Sequence, residues 1–306
     1  MTKSVKSVVI LLLASLCGGP VFAVEVDNFT TRSLVEIDST PIINRLFNDE
    51  LDALVSQWTG PPEAVPFTLA FIRAIDKTPV LNRITHRFVE AGGRIQYVRS
   101  PIYSDSSCFT TATVWVRPLA GVIFLNGIPV GVDKIGHFHD GGSAIYRRVY
   151  DQGQSLEQAL DWSVRTENGL LGYWVDGIFS NADVVANYEG FRFYRSLFQP
   201  DRVSGLTPVL SVVDGKIVKN REIDLADHVT GFWNEAMNPS KTMACMERHL
   251  LKVLPKRCQQ FRAHPNWYVP QDEEKLLQRY SVLALRPNPE FRMDHICTAD
   301  EASAGR

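Results

Sequence analysis

Two segments of this 306-residue chain concentrate acids, histidines and a lysine at intervals that suit catalysis or metal binding. The first, Gly131 to Gly142, holds Asp133, Lys134, His137, His139 and Asp140. On a helix, residues four apart share a face, so Asp133 and His137 fall together, and Asp140 lies one turn beyond His137. Lys134 and His139 point to other sides of such a helix. A carboxylate beside an imidazole can hold a divalent metal, or act as base and orienting group in hydrolysis. The second segment, Trp174 to Gly190, holds Asp176, Ser180, Asp183 and Asn187. Asp183 and Asn187 stack at i, i+4, and Asp176 stands just before their helix. The candidate acid/base or metal-ligating set is therefore Asp133, His137 and Asp183. Lys134, Asp140, Asp176 and Asn187 are candidate binding residues, and one divalent metal ion is the cofactor that such a set would take.

Plainer roles compete for the same residues. Asp133 directly follows a strand pattern and suits a helix N-cap. Ser180 with Asp183 three residues on resembles a capping box, with Asp in place of the preferred Glu. His137 can simply bond an acid inside a packed core. Gly141, Ala144 and Gly190 would let two helices approach closely. If those helices pack antiparallel or crossed, Asp133, His137, Asp183 and Asn187 meet, and Asp176 can join them. Burying such groups unpaired costs several kcal/mol. A fold keeps them only if they are hydrogen-bonded, metal-bound or functional.

The order and spacing carry a resemblance. Asp133, Lys134 and His137 (D-K-x-x-H) precede Phe179, Ser180, Asp183, Ala186, Asn187 and Gly190 (F-S-x-x-D-x-x-A-N-x-x-G) by about forty residues. This pattern is similar to that of the VanZ-like proteins and of a related group of small bacterial envelope proteins of unknown function. The match covers about sixty residues of 306. The resemblance implies an envelope setting and a polar helix–helix cluster, without a settled reaction. The chain departs from the membrane-embedded VanZ-like proteins: no later segment has transmembrane length, and long stretches flank the motif on both sides.

Ile42 to Trp58, Pro66 to Ile75 and Val80 to Ala91 have apolar residues at helical spacing. Arg94–Arg99, Phe109–Val116 and Gly121–Val132 are rich in β-branched and aromatic residues. The last contains Asn126-Gly127, a hairpin signal because both turn positions need positive φ. Helices are expected over Asp133–Tyr150, from Ser155 to about Trp174, and over Ser180–Phe198, where Phe191, Phe193, Tyr194 and Phe198 read as core. A second hairpin turns at Asp214-Gly215. Two or three helices then span Asp224 to Phe261, and one lies within residues 271–284. The fold class is mostly helical α+β with two short β-hairpins. Residues 24–297 form a single globular domain with its motif core at 131–198, and residues 298–306 form a loose tail.

Residues 1–23 read as a secretory signal peptide. Lys3 and Lys6 give a positive start, Val8 to Leu16 an apolar run, and Val21-Phe22-Ala23 a cleavage pattern. The apolar run is short of the roughly 20 residues that span a bilayer. The expected location is the periplasm or the outside of the cell. Cleavage leaves 30 basic against 34 acidic residues, a charge of −4. No basic stripe is present, so nucleic acid is not an expected partner; an envelope component or another protein is. Cys108, Cys245, Cys258 and Cys297 allow two disulfides, and the short separation of Cys245 from Cys258 favours that pair. His228 and His249 are isolated histidines. The chain has no G-x-S-x-G elbow, H-E-x-x-H, P-loop or dinucleotide fingerprint. With no complete catalytic signature, the sequence points to an exported envelope protein acting as a binding or structural module. A metal-dependent or acid/base hydrolase acting on envelope material is the alternative.

Overall fold

Helix follows helix along most of this chain, and the strands are short. A computed structural model describes residues 26–30, 34–76, 83–97, 102–103, 121–169, 173, 177–201 and 205–304. Asp176, the expected strand Phe109–Val116 and the signal segment lie outside the described residues. Helices α1 (Thr40–Gln57), α2 (Ala64–Ile75) and α3 (Arg83–Glu90) come first. The hairpin β1 (Val122–Leu125) and β2 (Ile128–Gly131) is antiparallel, with Leu125 opposite Ile128. Asn126 and Gly127 take positive φ at its turn, as the sequence expects.

A continuous helix, α4, then runs as Asp133–Gly136, a π turn His137–Gly141, and Gly142–Tyr150. Helix α5 (Leu156–Asn168) starts with a complete capping box between Ser155 and Gln158. Strand β3 (Ile178–Phe179) leads into α6 (Asn181–Ser196), which is buried along nearly its whole length. The second hairpin, β4 (Leu210–Val213) and β5 (Lys216–Lys219), turns at Asp214 and Gly215, both with positive φ. A two-residue strand β6 (Lys241–Thr242) pairs with β3. Helices α7 (Ala244–Val253), α8 (Cys258–Ala263), α9 (Glu273–Arg279) and α10 (Met293–Ala304) complete the chain. The class is the mostly helical α+β expected.

Three expectations change. The stretch from Asp224 to Ser240 is not helical beyond two single 3-10 turns, Leu225–Asp227 and Gly231–Trp233. Its asparagines bond backbone instead: Asn234 accepts from Ala236 N at 2.9 Å, and Asn238 donates to Phe232 O. Such local bonds compete with a helix. Cys258 is bonded to Cys297, not to Cys245, with Cα atoms 5.4 Å apart. Cys245 lies in a separate disulfide. The expected loose tail continues as helix α10 as far as Ala304.

The main apolar core is built around aromatic rings. Phe138, in the π turn, packs against Phe47, Phe193 and Trp233 at centroid distances of 6.2, 5.2 and 5.5 Å. A smaller apolar cluster joins Met246, Leu250 and Leu254 to Tyr268, Phe291 and the Cys258–Cys297 pair. Helices α4 and α6 meet backbone to backbone. A Cβ on Gly190 would lie 1.7 Å from Phe138 O, and one on Gly142 would lie 2.4 Å from Gly190 C. Only glycine permits this approach. Contacts climb both helices together: Lys134 with Asp183, His137 with Asn187, Gly142 with Gly190, Tyr146 with Tyr194. The two helices therefore run in the same direction, not antiparallel.

Candidate functional site

Each end of the α4–α6 crossing places polar side chains at fixed heights, and Lys134 takes the centre of the first group. Its side chain is 1% exposed, and its Nζ lies 2.8 Å from Asp133 Oδ2, 2.5 Å from Asp183 Oδ1 and 2.8 Å from Glu235 Oε1. One ammonium thus faces three buried carboxylates. Face geometry alone had pointed Lys134 elsewhere. The lysine stem is long enough to reach from its own side of α4 to the gap between the helices.

His137 extends the group. Its Nε2 lies 3.1 Å from Asp183 Oδ2, and its Nδ1 lies 3.2 Å from Asn187 Oδ1. Asn187 Nδ2 is committed to Ser163 Oγ on α5, so its oxygen is the atom turned to the imidazole. Both ring nitrogens therefore face acceptors, which only the doubly protonated ring satisfies. Burial works against the imidazolium, but the charge and hydrogen bond of Asp183 outweigh it and raise His137 to about 9. Desolvation likewise opposes Asp183 ionisation, yet His137 and Lys134 hold its carboxyl well below the ordinary range. Burial raises Asp133, against the pull of Lys134. Glu167, buried beside them and raised to about 8 mainly by desolvation, accepts from Ser180 N at 3.3 Å.

Local capping differs from the sequence reading. Ser180 Oγ accepts from Asp183 N at 3.2 Å, the forward half of a capping box. Asp183 does not bond back; Glu167 takes the Ser180 N–H, which leaves the Asp183 carboxylate for Lys134 and His137. Asp133 is not a cap either: it is the first helical residue, and Val132 before it makes no side-chain cap. Asp133 Oδ1 is buried without a hydrogen-bond partner. The ligand atoms of Asp133, His137 and Asp183 lie within 4.8 Å of one another, close enough to hold a metal ion. The Lys134 ammonium, however, already sits against two of the three.

Asp140 does not join this group. The π turn is wider than an α turn and carries Asp140 round to His139. His139 is fully buried; its Nε2 lies 2.8 Å from Asp76 Oδ1, and its Nδ1 meets the Tyr194 hydroxyl. Asp140 Oδ1 is 3.8 Å from the same Nε2. Burial and the charges of Asp76 and Asp140 push the Tyr194 phenol well above its ordinary value, so it stays a hydroxyl.

No protein-family model matches this chain, and no curated protein or solved structure matches it.

Of the residues expected from sequence, Asp133, Lys134, His137, Asp183 and Asn187 are brought together. Glu235, Glu167 and Ser163 complete their network and were not anticipated. No spacing rule joins them to the motif, because Ser163 and Glu167 come from α5 and Glu235 from the stretch before β6. Ser180 and Ser240 hydroxyls fix both oxygens of Glu235, each at 3.0 Å. Farther along α6, His228 belongs to another buried network. Glu189 accepts two bonds from Arg279, two from Arg192 and one from His228 Nδ1 at 3.2 Å. Desolvation opposes this carboxylate, but the His228 bond and the two arginines lower Glu189 to about 2. His249 bonds Ile102 O.

Proposed function

We propose that this chain is an exported protein of the cell envelope that works as a binding or structural module, and that its Asp/Lys/His/Asn cluster locks helix to helix. The observation that carries this reading is Lys134. A sealed ammonium at 2.5 to 2.8 Å from three carboxylates is the counter-ion of the cluster, and it holds the position that a catalytic cation would need. His137 adds a second fixed positive charge whose protons are both engaged, which suits an ion pair better than a base. The resemblance to the VanZ-like and related envelope proteins supports the envelope setting, as does the signal-like start. The partner on this reading is an envelope component or another protein. Among the described residues, no helix is long and apolar enough to cross a membrane.

The alternative, a metal-dependent or acid/base hydrolase acting on envelope material, draws on one feature. The His137 side chain is 20% exposed, so solvent reaches the network there. Thermal melting and elemental analysis of the mature chain beside His137→Ala separate the two. The lock predicts a variant with a clearly lower Tm and an unchanged metal content. A variant that melts like the parent, or that loses a bound metal ion, would overturn it.

A further inference from the structure

Beyond the π turn, the last turn of α4 and the middle of α5 border an open cleft of about 350 Å³, whose wall includes Arg147, Arg148, Gln152 and Trp162. We propose that these four residues form a binding site for a small ligand through its carboxylate or phosphate group, with Arg148 as the main contact. The site goes beyond the helix lock and does not rest on it: Arg148 lies about 20 Å along α4 from Lys134 at the usual helical rise.

The placement of Arg148 carries the proposal. Its Cζ lies 3.8 Å from the centroid of the Trp162 ring, so the guanidinium rests on the indole face. That contact uses the face of the cation and leaves the N–H groups around its edge. Those N–H groups have no hydrogen-bond or ion-pair partner among the described residues. Asp161, the acid next to Trp162, is paired with Arg165 instead. The rest of the wall has the same surplus of donors. The Gln152 carboxamide and the Trp162 indole N–H have no acceptor among the described residues, and Arg147 comes only within 4.0 Å of Asp76. What such a set lacks is a group with several acceptor oxygens. A guanidinium fork matches carboxylate or phosphate oxygens two at a time. Stacking on Trp162 already fixes the plane of the fork, so less freedom is lost on binding. Asp76 and Asp140 also border the cleft, where they face His139. They offset the two arginines in formal charge, so recognition here works through aimed donors and not through long-range attraction of anions.

The test is a chemical-shift titration of the full mature chain, isotope-labelled, with sodium acetate and with inorganic phosphate at constant ionic strength. The indole N–H signal of Trp162, assigned by its loss in Trp162→Phe, is the readout. The expected result is a saturable shift with at least one of the two anions, weakened about 10-fold or more in Arg148→Gln. Arg148→Lys should weaken it too, because it keeps the charge and loses the fork. Arg248→Gln, which removes an exposed arginine from α7, should leave it unchanged. Saturation by acetate alone assigns a carboxylate ligand, and saturation by phosphate alone assigns a phosphate. No saturable shift with either anion overturns the proposal. So does a shift that Arg148→Gln leaves intact, or that Arg248→Gln weakens as much. Melting curves show that the Arg148 variants are folded, and a failed titration leaves the helix lock, which is tested through His137, untouched.

Discussion

The two polar groups on α4 centre on histidines two residues apart and differ in how far each is closed off from solvent. At His137 the charge is covalent: Lys134 and the imidazolium neutralise Asp133, Asp183 and Glu235 from within, and the lysine is sealed. At His139 the carboxylates stand at the rim of a cleft, with Asp140 half exposed and the imidazole held from behind by a phenol. The same residue types thus serve different ends. The first group is closed around its lysine, whereas the second turns its carboxylates to a cleft.

The largest test of this contrast is Lys134→Met. Removing one partner from a buried ion network costs about 3–5 kcal/mol, because the remaining charges stay buried. Urea unfolding should register a loss of that size, and near-parental stability would show that the cluster is hydrated. Gly190→Ala attacks both groups at once. Its methyl would meet a backbone carbonyl that cannot give, so a loss of about 3 kcal/mol or more is expected by thermal melting.

The pH dependence is next in size. His137 is raised from 6.5 to about 9, so its contribution is fully present below pH 6.5 and is lost as pH climbs through 9. Glu167, raised to about 8, holds a proton in the folded state that the unfolded chain releases, so stability falls between pH 4.5 and 8 as well. The His137 share is on the order of 3 kcal/mol at a shift of this size. Melting curves from pH 5 to 10 should slope downward, and His137→Gln should flatten the part above pH 6.5. On the acid side, the lowered Asp183 and Glu189 contribute stability above their ordinary values and lose it as pH falls below them. The smallest effect is expected for the half-exposed Asp140, where Asp140→Asn should stay within about 0.5 kcal/mol of the parent by urea unfolding. A large loss there would mean that Asp140 is a structural partner and not a rim group.

How far the sequence could be read follows from which forces are local. Both hairpin turns were legible, because Asn126-Gly127 and Asp214-Gly215 encode their own φ angles. So was the meeting of Asp133, His137, Asp183 and Asn187, since helical spacing and small residues specify a face and a close approach. The role of Lys134 was not, because face geometry ignores how far a four-carbon stem can reach. Nor was the separation of Asp140 from His137, which depends on a π turn that spacing rules assume absent. Glu235 sits in a stretch expected to be helical, and it is held by Ser180, Ser240 and Asn28, contacts that leave no periodic signal. The Cys258–Cys297 bond likewise depends on how α8 meets α10, and separation along the chain does not report that.

The shared direction of α4 and α6 has an electrostatic consequence. Two helices side by side and parallel present both positive dipole ends at one end of the pair, each equivalent to roughly half an elementary charge, and these ends repel. Asp133 and Asp183 sit in the first turns of the two helices, where a carboxylate offsets that repulsion. The cluster's three carboxylates then answer to four sources of positive charge: the lysine, the imidazolium and two helix ends. The excess of acid over side-chain cation at this spot is what a parallel helix pair requires.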